Sequence, residues 1–323
     1  MFTHIAGTGS AVPERILTND DMAKLVDTSD EWIVSHTGIR QRHVVAPEEN
    51  AATLGCLAAR RALEDAGVAP EELGTVIVTT TTPDYAIYPS VACEIQGMLG
   101  AKHAAAFDIS AACPGFVYGL VIARGMMQVD PRPILVVSTE IMSRTINWSD
   151  RNTCCLFGDG AGAVVLKNSE EPGGLGFHLL GADGTGALAI HREGGVRTEE
   201  TARNAPGDLK MDGRAVFNFA VRSFCDIIAQ TLEHYGWTEK DLAWVVPHQA
   251  NTRIIDAAVK RIAVPKEKFY VNIDRFANTS SASIPIALDE MKHDGLIKRG
   301  DRLVFAAFGA GLVYGGITVE WTK

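Results

Sequence analysis

Cys113 is the residue whose surroundings most favour covalent chemistry. It follows the β-type run Ala106–Ile109 and three small residues, and it precedes Pro114 and a long helical pattern. Proline is favoured at the first position of a helix because its missing N–H would have no intrahelical partner there. We therefore predict that Cys113 caps the helix N-terminus, where the helix dipole lowers the pKa of the thiol and makes it a nucleophile. The alternative is an inert buried cysteine before a turn.

His248 and Asn278 are the polar residues best placed to assist this thiol. Each lies after an apolar strand pattern and before a helical pattern, within Pro247–Asn251 and Phe276–Ser283 respectively. Ligand sites of open α/β sheets lie at the carboxyl ends of strands, so we predict that both side chains reach Cys113. Taken alone, the histidine would be interpreted as a structural residue and the asparagine as a helix cap or turn residue.

Two glycine-rich segments predict different roles. Phe308–Leu312 lies between two apolar strand patterns, and its small residues let backbone N–H groups approach a ligand, as in an oxyanion hole. A plain tight turn between strands is the alternative. Phe157–Gly162 lacks the Gly-Lys-Ser/Thr of a phosphate-binding loop and leads into a strand, so we predict close backbone packing beneath the site rather than nucleotide binding.

Helical and strand patterns alternate along the chain, which predicts an α/β fold with mostly parallel sheets. The first half contains a helix over Thr53–Ala66, strands Thr75–Thr79 and Ala106–Ile109, the helix after Cys113, and strands Pro133–Ser138 and Ala161–Leu166. The second half repeats this order with helix Val216–Tyr235, strands Leu242–Val246 and Phe269–Ile273, a helix through Ile284–Met291, and strands Asp301–Phe305 and Tyr314–Val319. We predict two similar halves, 1–170 and 171–323, that join near Glu170–Gly174 and place the site where their loops meet. A long surface loop is predicted over Gly184–Gly207.

Composition and charge limit the class of protein. The chain has 323 residues, 46% of them hydrophobic, and a formal net charge of −9, which argues against general binding of nucleic acid or anionic membranes. The N-terminus lacks a signal-peptide pattern and no apolar run is long enough to cross a bilayer, so we expect a cytoplasmic protein. The six cysteines, at positions 56, 93, 113, 154, 155 and 225, lack zinc-ligand spacing, so we expect neither a metal site nor disulfides. All except Cys113 are predicted to be small core residues, with 154 and 155 in a buried strand.

Three motifs carry a family resemblance. Ala-Ala-Cys-x-Gly-Phe around Cys113, Val-Pro-His-Gln-Ala-Asn around His248, and Asn-Thr-Ser-x-Ala-Ser from Asn278 together resemble β-ketoacyl-acyl-carrier-protein synthase III, the initiating condensing enzyme of bacterial-type fatty acid synthesis. Ser29–Ile33 with Thr37–Arg40, together with Phe157–Gly162, extend the likeness over nearly the whole chain. The resemblance implies the thiolase fold, a duplicated five-layer αβαβα architecture, and a homodimer. Elongating synthases are less similar, because they carry a second histidine where this chain has the asparagine.

The resemblance also implies the chemistry. Cys113 would take an acyl group from acyl-CoA, and malonyl-acyl-carrier protein would then lose CO2 and attack the resulting thioester, as in ping-pong covalent catalysis. His248 and Asn278 would donate hydrogen bonds to the thioester oxygen of the malonyl group. Backbone N–H groups of Cys113 and Ala310 would form the oxyanion hole. Coenzyme A enters as part of the substrate, and no separate cofactor is implied.

Residues that bind CoA are implied by the same matching. Trp32 and Arg151 would sandwich the adenine, while His36 stands where some relatives have an arginine near the CoA phosphates. Tyr88 matches an aromatic residue that closes the acyl pocket, which favours a short primer such as acetyl-CoA.

Carrier-protein binding is implied for Arg253. Lys260 and Arg261 lie seven and eight residues further along a predicted helix over Thr252–Ile262, which places the three cations on one face. An ordinary solvated helix face is the alternative. Two other functions also remain open: a synthase III-like enzyme of secondary metabolism, acting in polyketide or quinolone condensation or acyl transfer, and a cysteine thioester hydrolase.

Overall fold

The computed structural model of the chain describes residues 1–194 and 207–323. Its strands are β1 (Phe2–Ala11), β2 (Ile16–Thr18), β3 (Gln41–His43), β4 (Thr75–Thr79), β5 (Ala105–Ile109), β6 (Ile134–Glu140), β7 (Gly160–Ser169), β8 (Gly174–Ala182), β9 (Ile190–Arg192), β10 (Leu209–Met211), β11 (Trp244–Pro247), β12 (Arg302–Gly309) and β13 (Val313–Glu320). Its α-helices are α1 (Asn19–Ala23), α2 (Asp30–Thr37), α3 (Ala51–Ala66), α4 (Val91–Leu99), α5 (Gly115–Met126), α6 (Arg151–Cys154), α7 (Gly213–Tyr235), α8 (Thr252–Val259), α9 (Ile273–Phe276) and α10 (Ser283–His293).

The two long outer helices, α3 and α7, begin and end in the same way. Asn50 and Asp212 cap their N-termini by accepting hydrogen bonds from backbone N–H groups of the first turn. Gly67 and Gly236 end them with φ angles of 59° and 65°, a left-handed conformation that glycine adopts without a steric penalty. Polar caps and terminal glycines therefore set the limits of the corresponding helix in each half.

Two mixed sheets form the framework. One has the strand order β1-β7-β6-β4-β5, with β4 parallel to β5 and β6 but β7 antiparallel to β1 and β6. The other has the order β11-β12-β13-β8, in which only β11 and β12 are parallel. The prediction of mostly parallel sheets is therefore wrong. The short connection between β12 and β13 explains part of the difference, because a turn of three residues can join only antiparallel strands.

Helices separate and cover the two sheets. Helix α3 packs on the first sheet and α7 on the second, while α5 contacts strands of both and α10 contacts β1 and β7 of the first sheet and β11 of the second. The largest apolar cluster joins the two inner helices to both sheets. The layers are therefore helices, sheet, helices, sheet, helices, as the αβαβα prediction requires. The chain passes from the first sheet to the second between Ser169 and Gly174, while the division into halves at residue 170 stays a prediction.

The predicted strand over Phe269–Ile273 does not form. Phe269 makes a single bridge to Val245, and helix α9 follows at once. The N–H of Asn272 donates to the Gln249 side chain at 3.1 Å instead of to a neighbouring strand. This side-chain partner takes the chain out of the sheet, so the counterpart of β5 in the second half is a single bridge.

Several other local predictions were wrong. Cys154 and Cys155 are buried, but they lie at the end of helix α6 rather than in a strand, and Cys93 is exposed on α4. Gly184–Ala189 forms a 3₁₀ helix and β9 follows it, so the predicted long loop is partly regular, and its residues 195–206 lie outside the described range. Within the described residues, no helix is both long enough and apolar enough to cross a membrane, and no group of His, Cys, Asp and Glu side chains is arranged to hold a metal ion.

Candidate active site

Cys113 lies in a tight turn between β5 and α5. Pro114 occupies the N-cap position and the helix begins at Gly115, so the predicted cap position of Cys113 is wrong by one residue. The N–H of Gly115 donates to the carbonyl of Ala112 at 2.8 Å, and Ala112 has a φ of 48°. This turn directs the cysteine side chain into a cavity.

The thiol of Cys113 is not acidic. Burial raises its pKa to about 12, and the negative charge of Glu140 acts in the same direction. The hydroxyl of Ser280, 3.6 Å from Sγ, lowers the pKa without offsetting burial. The prediction of a lowered pKa is therefore wrong, because removal from water outweighs the hydrogen bonds that favour the thiolate. At neutral pH the thiol is protonated, and its attack on a thioester needs a proton acceptor.

His248 follows β11 directly and is 1% exposed. Burial lowers the pKa of its imidazole to about 3, so the ring is neutral at neutral pH. Its Nδ1 lies 2.7 Å from Oγ of Ser283, and the N–H of Gln249 donates to that same oxygen at 3.4 Å. Donation of the Ser283 hydroxyl proton to Nδ1 places the ring proton on Nε2, the nitrogen that can then donate into the cavity.

Asn278 is held by backbone bonds on both sides. Its N–H donates to Leu156 and its carbonyl accepts from Gly158, which forms a bridge beside Phe157. Because no strand forms over Phe269–Ile273, Asn278 follows the short helix α9 instead of the predicted strand. Its Oδ1 accepts from the N–H of Ser280 at 2.8 Å, so the Nδ2 amide remains available as a donor.

The turn between β12 and β13 packs against the turn that carries Cys113. A side chain on Gly309 would place its Cβ 2.9 Å from the backbone nitrogen of Cys113, so only glycine allows this approach. Ala310 follows it, and both Ala310 and Cys113 line the same cavity. Neither of their N–H groups donates to a loop or turn carbonyl in the described part of the chain. These two N–H groups are the donors predicted for the oxyanion hole.

Cys113, His248 and Asn278 line one cavity of about 290 Å³. The cysteine enters it from the turn before α5, and the other two enter from the loops after β11 and α9. Most of the remaining lining side chains are apolar, among them Met142, Leu156, Phe157, Val216, Phe217 and Ile254. The structure therefore brings together a thiol and two neutral hydrogen-bond donors in a largely apolar chamber.

Comparison with known proteins identifies the family. Profiles described as 3-Oxoacyl-[acyl-carrier-protein (ACP)] synthase III and its C terminal match residues 107–184 and 232–321. The β-ketoacyl-[acyl-carrier-protein] synthase III of Caldanaerobacter subterraneus subsp. tengcongensis is 48% identical over 99% of this chain and 98% of its own. This chain belongs to the β-ketoacyl-[acyl-carrier-protein] synthase III family.

Solved structures agree with this synthase III assignment. The 3-oxoacyl-[acyl-carrier-protein] synthase III from Aquifex aeolicus VF5 has a TM-score of 0.92 and 42% identity, covering 99% of this chain and 100% of that one. The priming β-ketosynthase of the R1128 polyketide biosynthetic pathway also has a TM-score of 0.92, with 39% identity and coverages of 100% and 97%. The thiolase fold is thus confirmed, and the chain is a condensing acyltransferase by family.

The residues predicted to bind CoA lie together near this synthase III cavity. The guanidinium carbon of Arg151 is 4.7 Å from the centroid of the Trp32 ring, and the His36 ring stacks on Trp32 at 4.4 Å. The amide of Asn251, a cavity-lining residue, donates to the carbonyl of His36 at 2.9 Å. An adenine between Trp32 and Arg151 needs about 7 Å, twice a van der Waals separation, so the arginine side chain must move to admit it.

The three predicted carrier-binding cations share one surface groove. Arg253, Lys260 and Arg261 line a depression of about 390 Å³ together with Asp256. All three are exposed, and none forms an ion pair with a described residue. Helix α8 ends at Val259 rather than at the predicted Ile262, yet the final turn keeps Lys260 and Arg261 beside Arg253.

Tyr88 does not line the cavity of its own chain. Its residue is 79% exposed, and the neighbouring Ile87 is 74% exposed. Thr81 and Thr82 line the cavity, but the segment that continues from them to Tyr88 leaves it. A role for Tyr88 in closing an acyl pocket therefore requires the cavity of a second copy of the chain.

Sequence reasoning missed three residues of the site. Ser280 contacts the thiol, Ser283 contacts the histidine, and Glu140 lies behind Ser280. Both serines belong to the Asn-Thr-Ser-Ser-Ala-Ser motif, so the motif itself was the available signal. Glu140 had no such signal, because it ends an ordinary buried strand.

Proposed function

We propose that this enzyme condenses a short acyl-CoA, in particular acetyl-CoA, with malonyl-acyl-carrier protein and releases CO2 and a 3-oxoacyl-acyl-carrier protein. The observation that carries the proposal is the convergence of Cys113, His248 and Asn278 on one cavity. The names of the relatives support initiation of fatty acid synthesis as its pathway. Its proposed location is the cytoplasm, in keeping with the sequence features described above.

In the first half-reaction, Sγ of Cys113 attacks the acyl carbon of acyl-CoA. The C=O electrons move to the oxygen, which the N–H groups of Cys113 and Ala310 stabilise as an oxyanion. Collapse of this intermediate breaks the bond to the CoA sulfur, which leaves with the proton that the Cys113 thiol gave up, and a thioester remains on the enzyme. Trp32 and Arg151 hold the adenine end of CoA, with the arginine displaced from its present contact.

In the second half-reaction, malonyl-acyl-carrier protein loses CO2, and no base has to remove a proton. Negative charge develops on the malonyl thioester oxygen, so the site needs hydrogen-bond donors. Neutral His248 donates from Nε2 and Asn278 from Nδ2, the two groups that their partners leave free. Loss of one such donor costs on the order of a hundredfold in rate. The resulting carbanion attacks the Cys113 thioester.

The function is tested by following acyl groups on the intact protein. After incubation with acetyl-CoA, the mass of the enzyme should increase by one acetyl group located on Cys113. Addition of malonyl-acyl-carrier protein should then remove the acetyl group and produce acetoacetyl-acyl-carrier protein. Release of the acetyl group to water at the same rate without malonyl-acyl-carrier protein would instead identify a thioester hydrolase.

A second candidate is a priming synthase of secondary metabolism. The similarity to the R1128 priming β-ketosynthase, at 39% identity, favours it specifically. The two candidates share the same site chemistry and differ in primer and pathway. Competition among acyl-CoA thioesters of increasing length separates them, because preference for a primer other than acetyl-CoA would favour the specialised enzyme.

Replacing Ser283 should weaken the second half-reaction alone. Ser283→Ala removes the hydroxyl that fixes the histidine tautomer, so part of the population carries its proton on Nδ1. We expect malonyl decarboxylation, measured as CO2 release, to fall by about tenfold, less than the loss of the donor itself. Acylation by acetyl-CoA serves as the internal control. An equal loss in both half-reactions would contradict this role.

We further propose that the Arg253 groove docks the acyl-carrier protein. Acyl-carrier proteins are acidic, and the chain as a whole has a net charge of −9, so a local group of cations is needed for their approach. Arg253, Lys260 and Arg261 form such a group on one surface. Helix α8, which carries Arg253, follows the His248 loop directly, so the groove lies close to the cavity.

Charge reversal at Arg253 should separate carrier binding from acylation. Arg253→Glu is expected to raise the KM for malonyl-acyl-carrier protein by about tenfold, while acylation by acetyl-CoA changes little. Wild-type turnover should also fall as salt increases beyond about 0.1 M, because exposed charges are screened over about 10 Å there. Arg222→Glu, on the neighbouring helix α7, is the matched control. Equal losses in both half-reactions for Arg253→Glu would refute docking at this groove.

We also propose a homodimer in which each subunit contributes to the other's acyl pocket. Tyr85, Ile87 and Tyr88 form an exposed apolar group, which is typical of surfaces that bind another protein. Tyr88 therefore limits primer length in the cavity of the partner.

Shortening Tyr88 should widen the range of primers. Tyr88→Ala is expected to extend use from acyl chains of about two to four carbons towards longer ones, because each methylene that a hydrophobic pocket admits or rejects is worth about 1–3 kcal/mol. The measurement is kcat/KM across a series of acyl-CoA lengths, with Tyr85→Ala as the neighbouring control. A wild-type enzyme that already prefers chains of about eight carbons or more would contradict the proposal.

A further inference from the structure

Glu140 is a buried carboxyl group for which the two half-reactions above have no use. It ends strand β6 and is 0% exposed. Its side chain contacts hydroxyl groups and a backbone N–H rather than a basic side chain. A buried charge without an opposite charge is costly, and such groups cluster at functional sites. The side chain of Ser280 lies between Glu140 and Sγ of Cys113.

The two oxygens of Glu140 accept several hydrogen bonds. Oε2 accepts from the N–H and hydroxyl of Thr81, at 3.0 and 2.9 Å, and from Thr82 at 3.0 Å. Oε1 accepts from Ser281 at 2.7 Å and from Ser280 at 3.1 Å. These donors favour the ionised form, while burial raises the pKa of the carboxyl group. The hydrogen-bond donors thus suit the ionised form of Glu140, and burial makes that form a stronger base than an exposed carboxylate.

Ser280 connects this carboxylate to the nucleophile. Its Oγ lies 3.1 Å from Oε1 of Glu140 and 3.6 Å from Sγ of Cys113. A hydroxyl group has one proton and two acceptor sites, so in the orientation that donates to the carboxylate instead of to Sγ it can accept the thiol proton. Ser280 has a φ of 50°, an uncommon backbone conformation for serine, and its N–H is bound to Asn278. The backbone of this turn thus holds the Ser280 hydroxyl between the Cys113 thiol and the Glu140 carboxyl group.

We propose that Ser280 and Glu140 form a proton relay that deprotonates Cys113 during acylation, an inference that rests on the proposed function. As the Sγ–C bond to the acyl carbon forms, the thiol proton passes to Oγ of Ser280 and the serine proton passes to Oε1 of Glu140. When the tetrahedral intermediate collapses, the C–S bond to CoA breaks. The departing sulfur takes the proton back through Ser280, so Glu140 is again ionised.

His248 is poorly suited to this step. Its pKa of about 3 makes it a weak base at neutral pH, and its Nδ1 is occupied by Ser283. The thiol, with its raised pKa, cannot supply much thiolate by itself. A neighbouring carboxylate in a low-dielectric site is the acceptor that remains, and general bases of this kind contribute about 10²–10⁴-fold to rates.

The pH profile of acylation tests the relay. Uncharged groups contact the Glu140 carboxyl, some from the loop after β4 and others from the turn before α10. The titratable groups beside them are Cys113 and, in the same cavity, His248. Between about pH 5 and pH 9, rapid-quench measurement with acetyl-CoA should give a wild-type rate constant that reaches a plateau once Glu140 is ionised.

Glu140→Gln keeps the shape of the side chain and removes the base. Near neutral pH its acylation should be about a hundredfold slower, and the rate should rise about tenfold per pH unit because only solvent-derived thiolate reacts. Glu140→Asp keeps a carboxylate and should recover part of the plateau. An acylation rate within about threefold of wild type, or a slower rate with an unchanged profile, would overturn the relay.

Ser280 and Ser281 provide a matched pair of variants. Both hydroxyls donate to Oε1, but only that of Ser280 also contacts Sγ. Ser280→Ala should reproduce the sloping profile of Glu140→Gln, whereas Ser281→Ala should keep a plateau that begins at a higher pH, because Oε1 loses a hydrogen-bond donor. Equal effects of the two would overturn the relay. If wild-type enzyme formed no acetyl adduct at all, the proposed function would fail first. Alkylation of Cys113 by iodoacetamide, measured as a function of pH, would still test the contact with Glu140. Glu140→Gln should then lower the pKa of the thiol, because a neighbouring negative charge is lost.

Discussion

Cys113→Ser should form no acyl-enzyme and should lose condensation by more than about a thousandfold, because a serine hydroxyl is a much weaker nucleophile than a thiol. The chamber remains intact in this variant, and the donors from His248 and Asn278 are unchanged. Intact-protein mass spectrometry after incubation with acetyl-CoA measures the adduct, and a coupled assay with malonyl-acyl-carrier protein measures condensation.

Cys93→Ser is the matched control for this result. Cys93 is exposed on helix α4, does not line the cavity, and should keep both the adduct and the wild-type condensation rate. An acetyl adduct of normal yield on the Cys113→Ser protein would mean that another side chain is the nucleophile. The same variant should retain malonyl decarboxylation, since that step depends on the donors and not on the thiol.

Asn278→Ala and His248→Ala should each slow malonyl decarboxylation by about a hundredfold or more, while acylation changes by only a few-fold. The reason is that the two steps use different hydrogen-bond donors. Nε2 of the histidine and Nδ2 of the asparagine are free for the malonyl oxygen, whereas neither substitution removes the backbone N–H groups that we propose hold the acyl oxyanion. Release of labelled CO2 and burst-phase acylation measure the two steps separately.

His103→Ala, at an exposed histidine outside the cavity, provides the control for histidine loss. The assignment of roles would be wrong if Asn278→Ala acylated poorly yet decarboxylated malonyl-acyl-carrier protein at the wild-type rate. Loss of both steps together, with a lowered thermal stability, would show that the asparagine mainly supports the turn through its bond to Ser280.

Local patterns in the sequence were enough to predict most elements of the fold. Strand Thr75–Thr79 was predicted with the bounds that the structure has, and the helices over Thr53–Ala66 and Val216–Tyr235 differ by a few residues at their starts. These elements depend on apolar periodicity, caps and terminal glycines, all of which are local. The strand predicted over Phe269–Ile273 does not form, because the N–H of Asn272 donates to the side chain of Gln249, a partner that no local pattern reveals.

The sequence by itself was enough to predict which residues carry the chemistry, because Cys113, His248 and Asn278 stand in motifs whose residue types suit a nucleophile and two donors. Only the tertiary structure decided how these groups behave. Burial raises the pKa of the thiol and lowers that of the histidine, and burial depends on the packing of both sheets around one chamber. Glu140 and Ser280 are 140 residues apart in the chain and 3.1 Å apart in space. Their contact exists because the end of β6 and the turn before α10 meet at the centre of the fold, where desolvation strengthens every polar interaction.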